Sequence, residues 1–125
     1  MFIEMLKGKI HRATVTEADL NYIGSLTLDE DLMDAAGLRE YEKIGVLDIT
    51  NGNRIETYII RGEKGSGQVC INGAASRLIS KGDLVIIVAH CQLNETEAQI
   101  HKPKIVHVNS ENQVTFLASE EPVLV

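Results

Sequence analysis

At 125 residues, 44% of them hydrophobic and 24% charged, the chain has the length of one domain with a modest core. A formal net charge of −6, with three Tyr, two Phe and no Trp, excludes the basic, ring-bearing surface that nucleic acid requires. No apolar run reaches bilayer length, and Met1 to Lys9 carry neither a long apolar run nor a small-residue cleavage site, so the expectation is a soluble cytoplasmic protein with no membrane partner.

The opening FIEMLKGKIHRATVT alternates apolar and polar residues and reads as two strand-like pieces around Gly8. Ile10, Ala13 and Val15 cannot share one face of a regular strand, which predicts a twist or bulge. Gly24-Ser25 then sits at a strand entry or tight turn, with Leu26 and Leu28 on one face and Ser25 and Thr27 on the other. Asp29 to Gly37 predicts a short helix, with an acidic first turn, an apolar stripe of Leu32, Met33, Ala35 and Ala36, and a glycine stop. Residues 44–61 read as a hairpin whose tight turn is Asn51-Gly52. RGEKGSGQ reads as an exposed loop. QVCING is the next strand, with Asn72 as candidate cap of a short helix through Arg77.

After Lys81-Gly82-Asp83, LVIIVAHC is the most apolar run and predicts a central strand. KIVHV and QVTFLA give two more strands joined by Asn109 to Asn112, and the tail ASEEPVLV reads as an arm that packs on a neighbour or frays. Many short strands with two small helices make the chain mainly β, a single-domain barrel or sandwich between which periodicity does not choose. Cys70 and Cys91 lie in apolar strand-like runs, the setting of buried thiols rather than a disulfide.

Several residue pairs have chemical potential, and each also has a plain structural explanation. Gly24-Ser25 offers an unhindered carbonyl beside a hydroxyl, the arrangement an N-to-O acyl shift needs, although Gly-Ser is also an ordinary turn. Lys9 and His11 project to one strand face, either as part of an anion site or as charges on a solvated edge. Arg54 and Tyr58 share a face opposite Ile55, Thr57 and Ile59; arginine can grip a carboxylate in bidentate fashion and tyrosine can donate a proton, yet an exposed cross-strand ladder has the same pattern. Asn72-Gly73-Ala74-Ala75 is a turn without bulky side chains, suited to a small anion or simply to a capped helix. No HxH, HExxH or CxxC spacing supports a metal site, and no GxxxxGK[ST], GxGxxG or GxSxG motif is present.

Taken together, MLKGKIHRATVTEADLNYIGS, TNGNRIETYII and INGAA resemble, in order and spacing, the bacterial aspartate 1-decarboxylase family, and the resemblance spans nearly the whole chain. It implies a double-psi β-barrel with short helices and a homotetramer with sites between subunits. It also implies self-cleavage between Gly24 and Ser25, giving chains 1–24 and 25–125. In that scheme Ser25 attacks the Gly24 carbonyl, the resulting ester undergoes β-elimination, and the dehydroalanine left at position 25 hydrolyses to a covalent pyruvoyl group with loss of ammonia. Thr57 matches the residue that stabilises the oxyanion of the shift.

The pyruvoyl ketone would form a Schiff base with L-aspartate and accept the electrons left by CO₂, giving β-alanine for pantothenate and coenzyme A supply. Tyr58 matches the proton donor. Arg54, with Lys9 and His11, would hold the substrate carboxylates, and Asn72 with Gly73, Ala74 and Ala75 would form the substrate-binding turn. The scheme leaves room for a maturation factor and involves no metal. Two features depart from expectation: Thr57 and Tyr58 point to opposite faces of a regular strand, and Leu47 stands where some relatives carry tryptophan. The alternatives are a non-catalytic double-psi barrel that binds or assembles with Gly24-Ser25 intact, and a pyruvoyl decarboxylase for another amino acid.

Overall fold

The computed structural model describes residues 1–21 and 25–119. Tyr22, Ile23 and Gly24, and with them most of the expected cleavage segment, lie outside the described residues, as does the tail beyond Ser119. Nine strands form one mixed sheet: β1 (Phe2–Thr14), β2 (Glu17–Asp19), β3 (Ser25–Asp29), β4 (Lys43–Asp48), β5 (Arg54–Gly62), β6 (Val69–Asn72), β7 (Leu84–Asn94), β8 (Lys104–Val108) and β9 (Val114–Ala118). Their order across the sheet is β2-β6-β3-β5-β4-β7-β1-β8-β9. The mainly β architecture expected from the sequence is the one observed.

The opening segment is one continuous strand, bonded to β7 on one edge and to β8 on the other, but the β1–β7 register shifts between Leu6 and Gly8, where the sequence reading divided it. The expected bulge is present between Ile10 and Ala13, where Arg12 takes a left-handed φ of 64°. It brings Ile10, Ala13 and Val15 all into the core. The core is built from registered rows. Ile10, Ile87 and Val46 face one another across β1, β7 and β4, while Ile71, Leu26 and Ile59 do so across β6, β3 and β5.

Helix α1 (Glu30–Ala36) covers this core with Leu32, Met33 and Ala36. Asp29 caps its first turn and Gly37, at φ 70°, ends it, as the acidic start and glycine stop predict. Gly8 lets α1 approach β1: a Cβ there would stand 2.3 Å from the Ala36 carbonyl oxygen. The central position of LVIIVAHC is also observed, since β7 lies between β4 and β1.

Four local readings need correction. The β4–β5 turn is wider than an Asn-Gly pair: Asp48 N–H donates to Asn53 O, and the Asp48 carboxylate accepts from Thr50 and Asn51. RGEKGSGQ is only partly exposed. Its Gly67 is buried, donating to Asp29 Oδ2 at 2.7 Å while its carbonyl accepts from Asn112. Helix α2 (Glu95–Ile100) and strand β2 had no counterpart in the sequence reading. Finally, the turn Gly73–Arg77 is a 3-10 helix whose N-cap residue, Asn72, makes no side-chain cap bond, because its amide is engaged elsewhere.

Candidate active site

Ser25 opens β3 directly opposite Asn72, the last residue of β6, and Thr27 stands opposite Cys70. Residues two apart share a face of a strand, so these four side chains form a square on the side of the sheet away from Leu26 and Ile71. The Asn72 amide sits over its centre. Its Nδ2 donates to Ser25 Oγ at 3.1 Å and to Thr27 Oγ1 at 2.9 Å, and its Oδ1 accepts from Cys70 Sγ at 3.1 Å. Ser25 is 1% exposed and Asn72 2%. Burial, followed by the charges of Glu17 and Asp19 on the neighbouring β2, pushes the Cys70 thiol above its ordinary range and keeps it protonated. The square therefore holds a serine hydroxyl in a fixed, water-poor setting immediately after residues 22–24.

Tyr58 belongs to the same face. It directly precedes Ile59, the partner of Leu26, just as Ser25 precedes Leu26, so both side chains point away from the core. Thr57 points the other way, opposite Ile44 on the core side of β4. Gly73, with φ 64°, turns the backbone just past Asn72; Ala74 is exposed, and Ala75 packs against the core.

The basic residues lie on that outer face too, but farther along it. Arg54 pairs with Leu47 and opens onto a cleft of about 690 Å³ with Lys43, Glu56, Val88 and His90. Gly45 forms its floor, since a Cβ there would already stand 3.2 Å from Val88 Cγ2. Lys43 and Glu56 pair across the strands at 2.9 Å, whereas Arg54 makes no ion pair among the described residues. Lys9 is in the row Glu56–Gly45–Val88–Lys9, three strands from β5. His11 packs edge-on to His107 at 5.4 Å, beside a second, smaller cleft. Among the described residues, Ser25, Asn72 and Tyr58 share one stretch of the sheet face, while Lys9 and His11 stand on β1 and Arg54 at the start of β5.

The order of these residues along the chain, with an aspartate decarboxylase model matching residues 1–115, decides the family. This chain belongs to the aspartate decarboxylase family. It is 60% identical over 121 residues to the aspartate 1-decarboxylase of Caldicellulosiruptor bescii, covering 97% of this chain and 94% of the relative. Identity to the aspartate 1-decarboxylase of Neisseria meningitidis serogroup C is 57% over 122 residues, 98% and 96% of the two chains. A solved structure of a computationally designed protein, msDPBB_sym2, is 17% identical with a TM-score of 0.42, over 68% of this chain and 96% of that one.

For a decarboxylase of this family the pyruvoyl group has to derive from a residue of the chain, and the buried Ser25 hydroxyl with an amide donor on its oxygen suits that origin. Thr27 and Cys70 were not singled out from sequence. The signal was their period-two relation to Ser25 and Asn72, which gains meaning only once β3 and β6 are known to pair.

Proposed function

We propose that this chain is an aspartate 1-decarboxylase that cuts itself between Gly24 and Ser25 and converts L-aspartate to β-alanine and CO₂. The observation that carries the reading is the Asn72 amide donating to the buried Ser25 Oγ. That bond holds the hydroxyl oxygen beside the Asn72 amide, and in our reading the same oxygen attacks the preceding carbonyl. The family motif would give Thr57 the oxyanion of the shift, but its side chain faces the core side of β5, away from Ser25, and we assign it no part in the cut within its own chain. Cleavage yields chains 1–24 and 25–125 of a single domain.

The pyruvoyl group at position 25 supplies a carbonyl that takes up the substrate amine and an electron sink for the bond broken as CO₂ leaves. Tyr58, on the same face as Ser25 and one strand away, returns a proton to the substrate carbon. Gly73, Ala74 and Ala75 present backbone donors and exclude bulk, while Asn72 keeps the reacting end in place. Arg54, with Lys9 and His11, holds the carboxylates; a fork that is not satisfied by a described acid is available for bidentate binding.

In our reading a second copy completes the site. Ser25 and Lys9 are four strands apart in the sheet order, and Arg54 is four residues along β5 from Tyr58. The basic residues would then act on a pyruvoyl group of the neighbouring subunit. The assembly is the family's homotetramer, a double-psi barrel per subunit, working in the cytoplasm, with a maturation factor where cleavage alone is slow.

Intact-mass spectrometry of wild type and Ser25→Ala after warm incubation tests this. Fragments 1–24 and pyruvoyl-blocked 25–125 are expected in wild type alone. An intact wild type, even with cell extract added, would refute the reading and favour the non-catalytic barrel.

A further inference from the structure

Asn72 has a pseudo-symmetric side chain, and the two ends of its amide differ only in whether they give or take a hydrogen bond. The sign of what reaches Ser25 Oγ therefore depends on what holds the far end. The far end faces Cys70 Sγ, at 3.1 Å from Oδ1. With the thiol donating, Oδ1 is committed and Nδ2 must face Ser25 and Thr27. Without that donor, Oδ1 can rotate toward the two hydroxyls and accept the Ser25 proton instead, which reorients the hydroxyl that has to attack the Gly24 carbonyl.

We propose that Cys70 is a positioning residue for self-processing: its S–H fixes the Asn72 amide so that Nδ2, not Oδ1, meets Ser25. This inference rests on the Ser25 cleavage reading above. Register supports it, because Cys70 stands opposite Thr27 just as Asn72 stands opposite Ser25, so the thiol lies at the corner of the square from which it can reach Oδ1. The chemical setting supports it as well. Cys70 is 6% exposed, and Glu17 is its partner on β2, with Asp19 two pairs further on opposite Asn72, so the thiolate form is disfavoured and the donor is retained at neutral pH. A thiolate would instead invite Nδ2 and reverse the amide.

The test is the rate at which fragments 1–24 and 25–125 appear, followed by intact mass, in wild type, Cys70→Ser, Cys70→Ala and Cys70→Val, with thermal unfolding of each as the folding control. Serine and alanine both leave the space of the sulfur, so a packing role makes them equally slow, or serine slower. A donor role separates them. Alanine and valine are expected to slow cleavage about tenfold, the rate equivalent of one hydrogen bond of ordinary strength, and serine to restore it to within about threefold of wild type. Valine fills the volume without a donor, so it keeps the test decisive if alanine does not fold.

Cleavage in wild type with serine as slow as alanine, or with valine as fast as wild type, overturns the role of Cys70 and leaves the Ser25 reading standing. A wild type that never cleaves overturns both.

Discussion

Replacing Asp29 by alanine should cost this fold a large part of its stability. Its carboxylate accepts from Asp31 N at 2.8 Å, Gly65 N at 2.9 Å and Gly67 N at 2.7 Å, while its own N–H donates to Gln68 O. The Asp31 bond is the N-cap of α1, worth about 1 kcal/mol. Gly67 is buried, so its N–H would be stranded at a further cost of about 1–3 kcal/mol, whereas the exposed Gly65 can turn to water at less than about 1 kcal/mol. Together the loss is about 2–5 kcal/mol, against a total of about 5–15 kcal/mol for a domain. The assay is urea unfolding in a Ser25→Ala background, where the chain stays in one piece. A loss below about 1.5 kcal/mol with an unchanged m value would refute the claim that one carboxylate ties the helix cap to the 63–68 loop.

Asp48 has a raised pKa because it is buried and because the neighbouring Asp83 carboxyl disfavours its charged form, with Asn51 and Thr50 N–H groups opposing the shift. A carboxyl held above its ordinary 3.8 binds more protons folded than unfolded, so its contribution is complete below the ordinary range and is lost as pH rises through the folded value. Asp48→Asn keeps the acceptor for Thr50 and Asn51 and gives Asp83 a donor; melting curves across pH should show a gain of about 1 kcal/mol near neutrality and a flatter acid limb. Gly8→Ala forces a Cβ toward the Ala36 carbonyl and should cost about 3 kcal/mol, so a midpoint lowered by less than about 3 °C would count against close packing of α1 on β1. Arg54→Gln should raise KM for aspartate by about thirtyfold while fragments still form at the wild-type rate; slowed cleavage would place Arg54 in processing instead.

What could be read from the sequence was local. Asp29 and Gly37 bracket α1 because caps act within one turn, and the bulge at Arg12 follows from three buried residues that no regular strand can align. Helix α2 was missed although Asn94 and Glu97 form a reciprocal capping box, since a six-residue helix with no buried face shows no apolar stripe. Strand pairing was out of reach. Ser25 and Asn72 are far apart in the chain, and nothing in either neighbourhood says that β3 lies between β5 and β6. For that reason Asn72 looked like a helix cap when its amide belongs to Ser25. Asn112, buried and clamping Thr14 and Gly67 together, looked like a turn residue for the same reason.

Strand β1 is hydrogen-bonded along both edges, to β7 and to β8. On the proposed scheme the backbone is cut after this strand has been built in, so the small fragment stays only by non-covalent pairing. Folding before the cut is a one-body event, independent of concentration. Refolding afterwards requires two chains to meet, with β1 threading between partners that close on each other without it. The mature protein is then expected to unfold irreversibly at low concentration, and its persistence is governed by an escape rate set when the precursor first folded.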